Sequence, residues 1–148
     1  MSQGVLAFGY DTALPGTGVT WEAGSFLGAA NGATVTVDLG AVANPVFSLS
    51  PDAGSSIALA TPSDIVFGNA IIGEGTVRKT GTGLLKLTGS NSGHIVVQEG
   101  SVQVGNGTAS IRWGGAGSSV TLENGTSLII AGNSSGNSHH TIGSDLIL

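Results

Sequence analysis

Cysteine is absent from all 148 residues, which excludes disulfides, thiolate catalysis and sulfur-held metal together. Charge is scarce: Asp, Glu, Lys and Arg make up 9% of the chain, against roughly 25% in an ordinary soluble domain. Aromatic residues account for 5%, so a core has to be assembled from small and aliphatic parts. No run approaches the ~20 apolar residues that carry a helix across a bilayer, and membrane insertion is not expected. The opening MSQGVLAFGYDTALPG has no positive n-region and no long apolar h-region, so it does not read as a secretory signal peptide. Four basic residues stand against nine acidic ones. That leaves no basic patch to neutralise phosphates, and nucleic-acid binding is not expected.

What the chain has instead is glycine, 26 residues of it, within a composition that is 40% hydrophobic. Disordered chains combine low hydrophobicity with high charge, and both are reversed here. The length suits one domain, or one with a small appendage. Ser, Thr, Asn and Gly would cover a core of Val, Ile, Leu and Ala, a mixture that favours short β-branched strands and many tight turns. The few charges are unevenly placed. Residues 1–77 hold six acids and no base, whereas all four basic residues (Arg78, Lys79, Lys86 and Arg112) follow. Such a split would let opposite ends of an assembly unit attract one another.

No window shows the three-and-four apolar spacing of a helix, and Gly or β-branched residues interrupt every candidate. Residues 34–39, TVTVDL, alternate cleanly after Asn31-Gly32, a strong turn dipeptide. Segments 46–49, 56–59 and 64–67 continue the pattern, with Pro45, Pro51 and Pro62 in the connections, where proline suits turns and strand starts. From about Gly73 apolar clusters recur at Val77, Leu85/Leu87, Val96, Val102/Val104, Ile111, Val120/Leu122, Leu128/Ile130, Ile142 and Leu146/Leu148. Taking every third cluster as one coil gives a repeat of roughly 25 residues, as in a solenoid. A hairpin sandwich has similar spacing, so spacing leaves both architectures open. The chain is accordingly divided into an irregular β region, 1–72, read as a cap or assembly arm, and a repeat region, 73–148. Val77, Leu87, Val96, Val104, Ile111, Val120 and Leu128 are expected to point inward.

The stretch 73–107, GEGTVRKTGTGLLKLTGSNSGHIVVQEGSVQVGNG, carries an ordered set: Gly-x-Gly, Val77, Lys79, Gly81-x-Gly83, Leu85, Leu87, Gly89 and Asn91, followed by Gly93, a Val-rich strand, Glu99-Gly100 and a second strand. With the continuation 119–133, it resembles the autotransporter-associated β-strand repeat of bacterial autotransporter passengers. The resemblance covers about residues 73–133 and implies a right-handed parallel β-helix displayed at a cell surface. The insert usual in that family after its Asn is missing, and residues 1–72 do not match the repeat. Independently, Gly and Asn suit the left-handed corners that stacked β-coils require. The expected fold class is therefore all-β, a parallel β-helix in the C-terminal half and a less regular β region before it.

Chemistry is poorly provided for. The histidines are His94, His139 and His140. The adjacent pair lies in a polar loop, where neighbouring imidazoles on an extended chain point to opposite sides, and no metal site is expected. No two carboxylates fall within six residues of each other, against the clustered acids of β-helix glycosidases and lyases. Glu99 and Glu123, close to one coil apart, would at most form a ladder or sit at a corner. The Gly-x-Gly runs at 73–75 and 81–83 lack a following helix and a P-loop Lys-Ser/Thr. Residues 114–119, GGAGSS, lack the Asp of a calcium β-roll. Asn106-Gly107-Thr108, Asn124-Gly125-Thr126 and Asn133-Ser134-Ser135 fit the glycosylation sequon, yet turn chemistry accounts for the first two equally well. No catalytic residue and no cofactor is assigned.

The expected function is a non-catalytic structural subunit assembling with copies of itself and with other coat or fibre proteins, in a virion or outside the cell. The alternative is an autotransporter-type passenger fragment acting as a surface adhesin. Assembly contacts are expected at Arg112, Trp113, Ile142, Leu146 and Leu148. The strand-like end 142–148 has one charge, Asp145, and no proline. It should pair with a neighbouring subunit or with residues 1–72, burying Leu146 and Leu148.

Overall fold

The computed structural model describes residues 5–14, 22–41, 45–89, 91–105, 112–113, 118–131, 141–142 and 145–148. In chain order the strands begin with β1 (Val5–Phe8), β2 (Thr12–Leu14), β3 (Phe26–Ala29), β4 (Thr34–Asp38), β5 (Ser48–Pro51) and β6 (Ser56–Ala60). There follow β7 (Ile65–Phe67), β8 (Thr76–Thr80), β9 (Leu84–Leu87), β10 (His94–Val97) and β11 (Ser101–Val104). The last are β12 (Arg112–Trp113), β13 (Ser119–Leu122), β14 (Ser127–Ile130), β15 (Thr141–Ile142) and β16 (Asp145–Ile147). A single 3-10 turn, Leu39–Ala41, is the only helical element among the described residues.

These strands stack as a β-solenoid. One sheet runs β2-β4-β6-β8-β10-β13-β16, a second β7-β9-β11-β14 and a third β1-β3-β5, and β12 pairs with β15. Every pair is parallel. Isolated bridges from Leu49 to Ile71 and from Ile71 to Asn91 carry the third sheet two coils further. A hairpin sandwich would be antiparallel, so the register decides between the two architectures that spacing left open.

Coil length is not uniform. Thr34, Ser56, Thr76, His94, Ser119 and Asp145 are successive partners in the long sheet, at separations of 22, 20, 18, 25 and 26 residues. The change of texture near residue 73 marks no break in the stack. β6 pairs with β8 over five residues, Ser56–Ala60 on Thr76–Thr80, straight across that point.

The core is a column of stacked rows. One inward row is Val35, Ile57, Val77, Ile95 and Val120, and another is Leu85 on Val102. All seven are at most 1% exposed. Each such side chain contributes about 1.5–3 kcal/mol of burial. Phe47 and Phe67 are the large fillers, fully buried and edge-to-face with ring centroids 6.0 Å apart. The corners use short, left-handed backbone: Asn31 and Gly32 sit at φ 56° and 78°, as the turn dipeptide requires.

Of the side chains expected inward, Val77, Leu87, Val104 and Val120 are buried, and Leu128 packs partly buried against the core. Ile111 lies outside the described residues. Val96 is a correction. In β10 it is Ile95 and Val97 that face the core, while Val96 is half-buried on the outer face. An Ile-Val-Val run is apolar on both faces, so its own pattern cannot choose a side. Stacking of Ile95 on Val77 chooses it. Val96→Thr should therefore change stability by less than about 0.5 kcal/mol. Val97→Thr, which buries a hydroxyl, should cost about 1–3 kcal/mol. Urea melts of the two variants check the assignment.

Candidate functional site

Two features of the solenoid stand out: its ends and one buried lysine. At the N-terminal end, Leu6 occupies an inward position above fully buried Leu27, yet is 42% exposed. At the other end, Ile130 follows Val104 and Leu146 follows Val120 in inward rows, and they are 49% and 50% exposed. Leu148, two residues on from Leu146, is 90% exposed. Side chains that neighbouring coils cover inside the stack are thus open to solvent at both of its ends. The outer edges of β1, β2, β14 and β16 also carry no ladder partner among the described residues.

The expected assembly residues fall at or near the C-terminal end. Arg112 pairs with Thr141 and Trp113 with Ile142 in the β12–β15 ladder. Segment 142–148 does not reach back to residues 1–72. Through β15 and β16 it stacks on β12 and β13 of its own chain, as the next coil. Leu146 and Leu148 are not buried by that stacking. The charge split does not polarise the ends either. Arg78, Lys79 and Lys86 lie on β8 and β9, in the middle of the stack.

Lys79 is inside. It sits in an inward row between Leu59 and Val97 and is 0% exposed. The strand pattern places it there: in Thr76–Thr80, an inward Val77 makes Lys79 inward two residues later. That signal was present in the sequence, where Lys79 figured only as a residue of the repeat. Its Nζ donates to the carbonyl oxygens of Gly81 and, at 2.8 Å, Glu99, joining two successive corners. The Glu99 carboxylate closes the arrangement by accepting the Gly81 amide at 2.9 Å. Burial pushes the Lys79 amine below its usual value, and the nearby Glu99 charge offsets part of that. Gly100 leaves the room this needs, since a Cβ there would lie 2.6 Å from Nζ.

The acids serve the backbone. Asp11 accepts the Thr34 amide at 2.7 Å and Asp64 the Leu84 amide at 3.0 Å, each from the next coil. Glu99 and Glu123 form no ladder with each other. Glu123 stacks beside Gln98, whose Nε2 donates to it at 3.0 Å. His94 lies on the outer face of the long sheet, its Nδ1 2.9 Å from Ser119 Oγ, and His139 and His140 lie outside the described residues. Among the described residues no three His, Asp or Glu side chains gather. Buried Asn91 donates to Gly89 O at 3.0 Å, while its Oδ1 has no partner among the described residues. An open groove of ≈550 Å³ runs over a corner lined by Asn31, Pro51, Asp52, Ala53, Gly73 and Glu74. It brings two acids near one surface without a buried polar group to hold a ligand.

No protein-family model, curated protein or solved structure matches the chain.

Proposed function

We propose that the protein is a non-catalytic structural subunit that assembles through the ends of its solenoid. The observation that carries this reading is the exposure of inward-row side chains at both ends: Leu6 at one, Ile130, Leu146 and Leu148 at the other. Each end is half of the interface the chain makes with itself between successive coils. Stacking a second copy would cover apolar side chains and satisfy the edge backbone groups in one step. A heterologous contact of this kind propagates as an open fibre unless the rotation closes it into a ring. Such a role fits a virion component or an extracellular coat, with other coat or fibre proteins as further partners. The resemblance of residues 73–133 to autotransporter repeats supports a second reading, a surface-displayed passenger acting as an adhesin.

Light scattering on the full chain tests the assembly reading. Oligomers should grow with concentration, and Leu146→Asp with Leu148→Asp should return the protein to monomers while circular dichroism keeps its β signature. A wild-type chain that stays monomeric at high concentration removes the assembly reading and leaves the adhesin one.

A further inference from the structure

Two Asn-Gly dipeptides lie at described corners, and the fold treats their reacting groups differently. Asn31-Gly32 joins β3 to β4. Its Gly32 amide donates to Ser55 Oγ at 3.0 Å, and Ser55 is 3% exposed. The Asn31 side chain is also hemmed in, since a Cβ on Gly9 would lie 2.9 Å from its Nδ2. Asn124-Gly125 joins β13 to β14. Both residues are exposed, and a Cβ on Gly125 would meet nothing within 4 Å. That turn is held instead by Thr126, whose amide and hydroxyl donate to Glu123 O at 3.1 and 2.6 Å. Neither the Gly125 amide nor the Asn124 side chain has a hydrogen-bond partner among the described residues.

We infer that Asn124-Gly125 is a site of spontaneous backbone-assisted deamidation, and that Ser55 protects Asn31-Gly32 from the same reaction. The chemistry needs only water. The Gly125 amide nitrogen loses its proton to solvent base and attacks Asn124 Cγ, forming a new C–N bond. The bond from Cγ to the side-chain nitrogen breaks and ammonia leaves, giving a five-membered succinimide. Water then opens the ring at one carbonyl or the other, yielding aspartate or isoaspartate. Glycine places no Cβ beside the attacking nitrogen, and an exposed turn leaves the side chain free to approach. At Asn31 the amide must first release Ser55. The product adds a negative charge next to Glu123, and the isoaspartyl form lengthens the main chain of the turn that leads into edge strand β14. This inference does not depend on the assembly reading.

The test is to hold the folded full chain in mildly alkaline buffer and map peptides by a method that separates aspartate from isoaspartate. Asn124 should convert at least about fivefold faster than Asn31, the rate ratio that corresponds to one ordinary hydrogen bond of about 1 kcal/mol. In denaturant the two sites should converge, because both dipeptides then have the same local chemistry. Ser55→Ala should speed conversion at Asn31 and leave Asn124 unchanged. Equal rates in the folded chain, or an Asn124 that converts only after denaturation, would overturn the inference. The wild-type comparison stands without the variant, so a Ser55→Ala protein that folds poorly does not weaken the test.

Discussion

Alanine in place of Gly83 is expected to lower stability by about 3 kcal/mol or more, the upper range for forcing atoms into a packed site. The Gly83 amide donates to Thr61 O at 2.8 Å, which draws the two corners into close contact. A Cβ on Gly83 would stand 2.2 Å from Ser63 O, 2.4 Å from Ser63 C and 2.7 Å from Thr61 O. All three are main-chain atoms of the preceding coil, so no side-chain rotation relieves the clash and the coils have to part. Gly125→Ala is the control. Its backbone is left-handed at φ 83°, but the surrounding space is open, so only the conformational cost of about 1–2 kcal/mol applies. Urea denaturation of both variants decides the matter. Equal losses would mean that the corner contact at Gly83 carries no special constraint.

Removing Lys79 should be nearly as costly. Lys79→Ala leaves the Gly81 and Glu99 carbonyls without their donor and vacates core volume, with an expected loss of about 3 kcal/mol. Lys79→Met keeps most of the volume and should lose less. The pH dependence separates charge from packing. Burial lowers the amine's pKa in the folded chain, so over the affected range the unfolded chain holds more protons there. Wild-type stability relative to Lys79→Met should therefore rise as pH climbs from the lowered folded value toward the ordinary lysine value of about 10.4. A neutral amine still has two N–H groups, enough for the two carbonyls it serves. A difference that falls with rising pH would show that Glu99 outweighs burial.

Much of this architecture was written in local pattern. The alternation of residues 34–38 gave β4 and its inward Val35 and Val37, and the clusters after Gly73 gave most of the buried rows. Three things were not legible, for distinct reasons. The face of β10 depended on a partner 18 residues away, because Ile95, Val96 and Val97 are all apolar. Residues 1–72 looked like a separate region because their coils turn with Pro and Asp and fill one side with Phe47 and a 3-10 turn. They are nevertheless part of the same stack. The coil of roughly 25 residues was an average over turns that tighten to 18 and relax to 26. As for the expected contact residues, Leu146 and Leu148 do lie at an open end. Arg112, Trp113 and Ile142 are placed by their backbone ladder alone.

Every described ladder joins residues 17 to 29 positions apart, from the first coil to the last. Contact order therefore does not grow with the number of coils, and a longer stack would not have to close longer loops. Such a chain behaves as a one-dimensional array of nearest neighbours, in which each coil adds its own increment and its two interfaces. Coils with a neighbour on both sides, such as those holding Leu59 and Leu87, are clamped twice, and terminal coils once. Amide exchange should accordingly be slowest near the middle and quicken toward Leu6 and Leu146, with unfolding entering the molecule from its ends.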